Sequence, residues 1–303
     1  MDTLSGKVAA ITGAGSGIGR ALALDLANRG TSLALSDIDE RGLAETAARA
    51  DRAGITVTTR KLDVSDSDDM ASWADETADH HGRVNLAINN AGVALISDVA
   101  SSSIDDIDWL MSINYWGVVY GTKAFLPHLA ASGDGHIVNI SSAFGLIAIP
   151  GQSAYNSAKF AVRGFTDCLR MELEIAGSPV SATTVHPGGI RTNIVRNARA
   201  RGAAAAAADP ERFDKVARTT PERAAAVIVD AVLRDRARVL VGADAKAIDL
   251  LSRLPSGIRR RLLVAGGKRQ AQRFAAEPSS QLPRTTPKPD SPISTDPIAE
   301  PVR

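Results

Sequence analysis

Lys7-Val8-Ala9-Ala10-Ile11-Thr12 runs into Gly13-Ala14-Gly15-Ser16-Gly17-Ile18-Gly19, and from there into Arg20-Ala21-Leu22-Ala23-Leu24-Asp25-Leu26-Ala27-Asn28. The first six residues are mostly apolar and read as a short strand. The last nine carry apolar residues at helical spacing. Strand, glycine-rich turn and helix, in that order, form the context in which a glycine motif carries chemistry. Glycines let the main chain turn tightly and let a pyrophosphate approach its N–H groups. The helix N-terminus adds orphan donors and a favourable dipole. Taken alone, the turn also fits a plain flexible loop.

Working outward, strand-like runs recur near 32–37, 56–62, 84–89, 136–141, 179–186 and 238–242, with helical patterns between them. That alternation predicts a single α/β domain with a doubly wound parallel sheet. The polar ends of 84–89 and 136–141 should meet at the carboxyl edge of the sheet, where open α/β folds bind ligands. The second run ends in Asp37, about 20 residues past the glycines, where a carboxylate hydrogen-bonds the adenosine ribose hydroxyls. Its charge repels a ribose 2′-phosphate, so the expected cofactor is NAD rather than NADP. Capping of the next helix is the competing role for Asp37, and Asp39 is placed to fill it instead.

Tyr155 and Lys159 stand four residues apart in Tyr155-Asn156-Ser157-Ala158-Lys159, within a helical stretch. One turn of helix points both side chains the same way. An adjacent ammonium favours the phenolate, so the expectation is a tyrosine with lowered pKa that serves as general acid and base. Decoration of an exposed helix face is the alternative.

Together, Thr12 to Gly19, Asn89-Asn90-Ala91-Gly92 and Tyr155 to Lys159 resemble the classical short-chain dehydrogenase/reductase family, in order, from about residue 4 to about 250. The resemblance implies a Rossmann-type sheet and hydride transfer between a nicotinamide cofactor and an alcohol or carbonyl. It assigns cofactor contacts to Gly13, Ser16, Gly17, Ile18, Gly19, Asp63, Val64, Asn90, Ala91 and Gly92, and to Pro187, Gly188, Ile190 and Thr192 of the Pro-Gly segment. Ser142 would hold the substrate oxygen, with Ser141 as fallback if the register differs by one. Asn114 would position a proton-relay water. Lys159 would also bind the nicotinamide ribose. A homodimer or homotetramer is implied, paired through helices over about 101–130 and 152–177.

The segment Ala143-Phe144-Gly145-Leu146-Ile147-Ala148-Ile149-Pro150, with Leu95 and Ile96, is almost wholly apolar. It fits an apolar secondary alcohol or ketone, steroid-like or lipid-derived, and fits core packing equally well. Arg191 and Arg196 keep an anionic substrate, such as an acyl thioester, open. The resemblance makes residues 193–220 a mobile cover over the substrate. Competing functions are an NADPH-dependent 3-ketoacyl-type reductase, against which Asp37 argues, and a non-catalytic nucleotide sensor or scaffold. The glycine spacing disfavours an epimerase or dehydratase of the extended branch.

The chain has 303 residues, 44% hydrophobic and 23% charged, with a formal net charge of +1. Nothing in that balance points to nucleic acid. The single cysteine, Cys168, excludes an internal disulfide and reads as a small buried filler. The five histidines lack ligand spacing, so no metal is expected. No signal peptide or membrane span is read, and a cytoplasmic location follows, with peripheral membrane contact as an addition. The domain is expected to end near 255. Residues 256–276 hold six cations and no acid. They are expected to form a basic, amphipathic extension that touches an anionic membrane surface, or a solvated helix on the core, interrupted at Gly266-Gly267. Residues 277–303, with seven of the 14 prolines, are expected to be disordered.

Overall fold

The computed structural model describes residues 3–52, 54–207 and 209–276. The proline-rich tail lies outside the described residues. Seven parallel strands form the main sheet in the order β3-β2-β1-β4-β6-β7-β9. They are β1 (Val8–Thr12), β2 (Ser32–Asp37), β3 (Val57–Lys61), β4 (Leu86–Asn89), β6 (Gly135–Ile140), β7 (Val180–Pro187) and β9 (Arg238–Val241). A two-residue strand β5 (Leu95–Ile96) pairs separately with β8 (Arg199–Ala200). All seven strands read from the sequence are present. The order reverses between β1 and β4, which opens a crevice at the carboxyl edge.

The central strands β1, β4 and β6 are buried along their whole length. Both sheet faces are covered, so these strands read as apolar runs without alternation. Ile11 and Ile88 join Leu22 and Leu26 of α1 (Gly17–Asn28) and Ile228 and Val232 of α8 (Pro221–Leu233) on one face. Ala10, Ala87 and Ile137 point the other way. They meet Trp73 of α3 (Ser67–His81) and Phe125 of α5 (Gly117–Ala131), whose rings pack edge to face at 5.1 Å. Successive strand residues feed opposite layers, as the pleat requires. The remaining helices are α2 (Glu40–Ala50), α4 (Ile104–Met111), α6 (Ser153–Ile175), α7 (Pro210–Val216), α9 (Ala243–Ser252) and α10 (Ser256–Ala276).

Two expectations are corrected here. Cys168 is exposed and lies 3.3 Å from the Glu172 carboxylate. The buried stripe of α6 runs through Val162, Thr166, Leu169 and Leu173, and Cys168 falls outside it. Helix α10 passes unbroken through Gly266 and Gly267. Glycine weakens a helix by about 1 kcal/mol each without forbidding it. Arg259, Arg260 and Arg261 project over about 200° of the helix, and Arg269, ten positions after Arg259, projects into the remaining arc between Ile258 and Leu262, so the charge encircles it. The expected apolar stripe is therefore missing, and contact with a membrane would rest on charge alone. Among the described residues no helix is long and apolar enough to cross a membrane.

Burial holds His136 and His186 neutral, each with its pKa lowered to about 4. The unfolded imidazole titrates near ~6.5. As the pH falls from 6.5 toward 4, the unfolded chain takes up protons that the folded chain cannot, so stability present above pH 6.5 is lost in that window. The pair should cost on the order of 3 kcal/mol between pH 7 and pH 5. Urea midpoints at the two pH values measure this, and His136→Gln should reduce the difference. Equal midpoints for the wild-type chain would contradict it.

Candidate active site

The loops after β1, β2, β3, β4, β6 and β7 converge on one cleft of about 500 Å³. Gly13, Ser16, Gly17 and Ile18 line one end, with Asp37, Asp63 and Val64 beside them. Asn90, Ala91 and Gly92 form the middle, and Ser142, Tyr155, Lys159, Pro187, Gly188, Ile190 and Thr192 the far part. Gly19 and Asn114 do not line it, and each stands directly behind it.

The glycine turn is built for close approach. Gly13 and Gly17 have φ of +65° and +51°, a region that L side chains avoid. A Cβ on Gly19 would sit 2.1 Å from the Gly13 carbonyl oxygen. Ser16 precedes α1 without a capping hydrogen bond from its side chain, so the first-turn N–H groups face the cleft end uncovered by it. The Asn90 amide donates to the carbonyls of Thr12 and Gly13, at 2.9 and 3.1 Å, and so fixes the turn from below. The Asp37 carboxylate accepts from the N–H groups of Gly15 (2.8 Å) and Asp39 (2.9 Å) while facing the cleft. Asp39 occupies the N-cap position of α2 but makes no capping bond with its side chain. The Asp63 carboxylate is held by the N–H and hydroxyl of Ser65. Paired donors at a helix N-terminus, a bare glycine cradle and a carboxylate at the end of β2 fit a dinucleotide.

At the other end, β6 and α6 are stitched together. Lys159 Nζ donates to the Ile140 carbonyl at 2.9 Å, and Ser141 Oγ donates to the Lys159 carbonyl at 2.7 Å. Ser141 thus gives its proton to the scaffold, whereas the Ser142 hydroxyl accepts from Phe144 N–H at 3.1 Å and keeps its own proton for the Tyr155 phenol, whose rise in pKa it opposes. Both serines line the cleft, and what separates them is that the Ser141 hydroxyl proton is already given to the Lys159 carbonyl. Nδ1–H of His186 donates to the Ser142 carbonyl at 2.9 Å and holds that residue from behind. Asn114 sits in a π-helical turn, Ser112–Trp116, between α4 and α5. The widened turn aims its amide inward. There it both accepts from Val93 N–H and donates to Val93 C=O, each at 2.8 Å.

The expected electrostatics of the pair are reversed in one respect. Burial raises the pKa of Tyr155, with the Ser142 hydrogen bond opposing it. Burial also lowers Lys159 to about 8. The ammonium lies 5.8 Å from the centre of the tyrosine ring and is spent on the Ile140 carbonyl. Helical spacing brought the two together, but desolvation penalises both charges. The protons of two such groups belong to the pair, and the first leaves near pH 8.

The apolar walls also differ from expectation. Of the segment 143–150, Phe144 faces the cleft, while Leu146 and Ile147 are buried in the body. Leu95 is buried away from it and Ile96 lines it. Further walls come from Trp109, Ile113, Ile194, Val195 and Phe213. The last three come from residues 193–220, the stretch expected to cover the substrate. Arg196 is ion-paired with Asp214, and Arg191 Nε donates to the Ala217 carbonyl.

The family model described as short chain dehydrogenase matches residues 7–203. The chain belongs to the short-chain dehydrogenase/reductase family. SadH of Mycobacterium tuberculosis, whose name goes no further than oxidoreductase, is 52% identical over 267 residues, covering 88% of this chain and 97% of that one. Human estradiol 17-beta-dehydrogenase 11 is 37% identical over 198 residues, covering 64% of this chain and 65% of that one. A short-chain dehydrogenase/reductase from Burkholderia phymatum, solved in complex with NAD, has a TM-score of 0.79 at 32% identity over 83% of this chain and 94% of that one. The fold of this family, the Rossmann-type sheet, is the fold described above. Its members use NAD or NADP. Sequence reasoning missed Trp109 and Phe213, because which face of α4 or α7 meets the cleft depends on contacts far apart in the chain.

Proposed function

We propose that this oxidoreductase transfers hydride between an apolar secondary alcohol, or its ketone, and NAD, with Tyr155 as the general acid and base. The carrying observation is the buried Tyr155 phenol, engaged by Ser142 and one turn from Lys159, at the far end of a cleft that begins at the glycine turn. The glycine turn and the α1 N-terminus suit the pyrophosphate, Asp37 the adenosine ribose, and Asp63 with Val64 the adenine. Asn90 to Gly92 and Pro187 to Thr192 flank the nicotinamide end. Bound there, the nicotinamide supplies the hydride acceptor in oxidation and the donor in reduction. Ser142 donates a hydrogen bond to the substrate oxygen. Once the Tyr155–Lys159 pair has lost one proton, Tyr155 as phenolate would take the hydroxyl proton while the carbinol carbon gives its hydride to the nicotinamide, and as phenol it would return that proton in the reverse direction. Lys159 would exchange that proton with solvent, with Asn114, fixed by its two bonds to Val93, placed to position a relaying water.

Apolar walls and arginines already engaged elsewhere favour an uncharged substrate over an acyl thioester. The name of the estradiol dehydrogenase relative agrees with that. Asp37 favours NAD over NADP, and so disfavours the 3-ketoacyl-type reading. The complete Asn114, Ser142, Tyr155 and Lys159 set disfavours a sensor, which needs no acid/base tyrosine. Trp116, Phe160 and Met171 leave apolar surface exposed on the α5 and α6 side. That supports a homodimer or homotetramer paired through this side; the remaining parts of the reading are a cytoplasmic location and one catalytic domain that ends near 255.

The test is reduction of NAD or NADP by purified protein with linear, cyclic and steroidal secondary alcohols across pH 6–10. Oxidation needs the proton absent from the Tyr155–Lys159 pair and reduction needs it present. Hence kcat/KM for oxidation should rise through about pH 8, and that for ketone reduction should fall there. Oxidation that is independent of pH over this range would reject the assignment.

A further inference from the structure

One charged cluster lies outside the machinery described so far. Asp106, in the first turn of α4, has a side chain only 5% exposed. It is paired with two arginines from far along the chain. Arg199 Nη1 donates to it at 3.2 Å, and Arg201 Nε and Nη2 donate at 3.0 and 3.3 Å. Arg199 opens β8 and Arg201 follows it directly, and this stretch bonds the β5 edge through Arg199 N–H to the Ala94 carbonyl and Arg201 N–H to the Ile96 carbonyl. The carboxylate therefore straps this stretch to the body beside the cleft. The guanidinium of Arg199 does a second thing. It lies 3.7 Å over the ring of Trp109, one helical turn along from Asp106. One face of the indole is thus filled by a planar cation, and Trp109 nevertheless lines the cleft. What the cleft meets is the other face or the edge of an aromatic ring that cannot turn away.

We propose that Trp109 is a specificity-determining wall for ring-bearing secondary alcohols, and that Arg199 and Asp106 are positioning residues that hold its indole. The proposal rests on the alcohol reading above and narrows its substrate class. A flat ring system gains offset or edge contact with a fixed indole, whereas a linear chain of similar size gains only apolar burial. Preorganisation matters because ordering a free side chain on binding would consume much of that gain. Lysine at 199 would keep the charge near Asp106 but lose the planar stack on Trp109.

The test compares kcat/KM for 1-indanol and 2-heptanol, together with calorimetric binding of 1-indanone to the NADH-loaded protein. Wild-type, Trp109→Leu, Arg199→Lys and Asp106→Asn proteins are used, with circular dichroism to confirm folding. Trp109→Leu should lower the 1-indanol to 2-heptanol ratio about tenfold, chiefly through KM, and weaken 1-indanone similarly. Arg199→Lys and Asp106→Asn should lower the ratio in the same direction by a smaller factor. A purely structural strap would move both alcohols together, so a ratio within twofold of wild type in Trp109→Leu and Arg199→Lys overturns the proposal. If wild-type protein turns over neither alcohol, the hydride-transfer reading fails. The ring proposal then stands if 1-indanone binding drops in Trp109→Leu and falls if it does not.

Discussion

Tyr155→Phe should lower kcat by about 10²–10⁴-fold in both directions while leaving NAD affinity within a few-fold of wild type. The phenol is buried at the base of the cleft, and its hydroxyl is the group that Ser142 engages. Phenylalanine keeps the ring volume, so the packing around Leu110 and Ala158 survives and the melting temperature should move little. The loss is therefore chemical. No neighbouring group replaces the proton acceptor, since Lys159 is bonded to the Ile140 carbonyl and Ser142 has no base beyond Tyr155. Steady-state turnover and calorimetric NAD binding on the same preparation check both halves. Unchanged turnover would remove Tyr155 from its role, and lost NAD binding with lost turnover would make it a cofactor residue instead.

Asp37→Asn should shift the ratio of kcat/KM for NAD over NADP by on the order of 10²-fold toward NADP. Like charges a few ångströms apart at a protein surface repel by about 2–4 kcal/mol, and a 2′-phosphate would sit beside this carboxylate. Asparagine isolates the charge, because its oxygen can still accept from Gly15 or Asp39, the two N–H groups that Asp37 now holds. Alanine would remove that support as well and loosen the glycine turn, lowering NAD use further. Initial rates with each cofactor decide the point. An unchanged ratio in Asp37→Asn would mean that cofactor choice lies elsewhere.

Local rules made the nucleotide half legible. Strands buried on both faces read as apolar runs, and the glycine turn needs residues without Cβ where Gly19 meets the Gly13 carbonyl. Tyr155 and Lys159 were legible because helix spacing alone aligns them. Their charge state was not, since desolvation depends on how much of the chain closes over them. The substrate half was hidden for the same reason. Phe144 faces the cleft and Leu146 does not, because a short 3₁₀ turn at Ala143–Gly145 breaks the strand pattern between them. The Asp106 strap joins residues 93 and 95 positions apart, beyond the reach of any local pattern. Cys168 misled because its apolar neighbours in sequence lie on other faces of α6.

The most direct measurement follows the hydride itself. Purified protein is mixed with NAD and a ring-bearing secondary alcohol deuterated at the carbinol carbon, and the reduced cofactor is examined by NMR. Deuterium at C4 of the nicotinamide on one face, with the matching ketone formed in equal amount and none from Tyr155→Phe, is the predicted result. NAD that binds yet gains no deuterium from any secondary alcohol, and NADH that reduces none of the matching ketones, would contradict it.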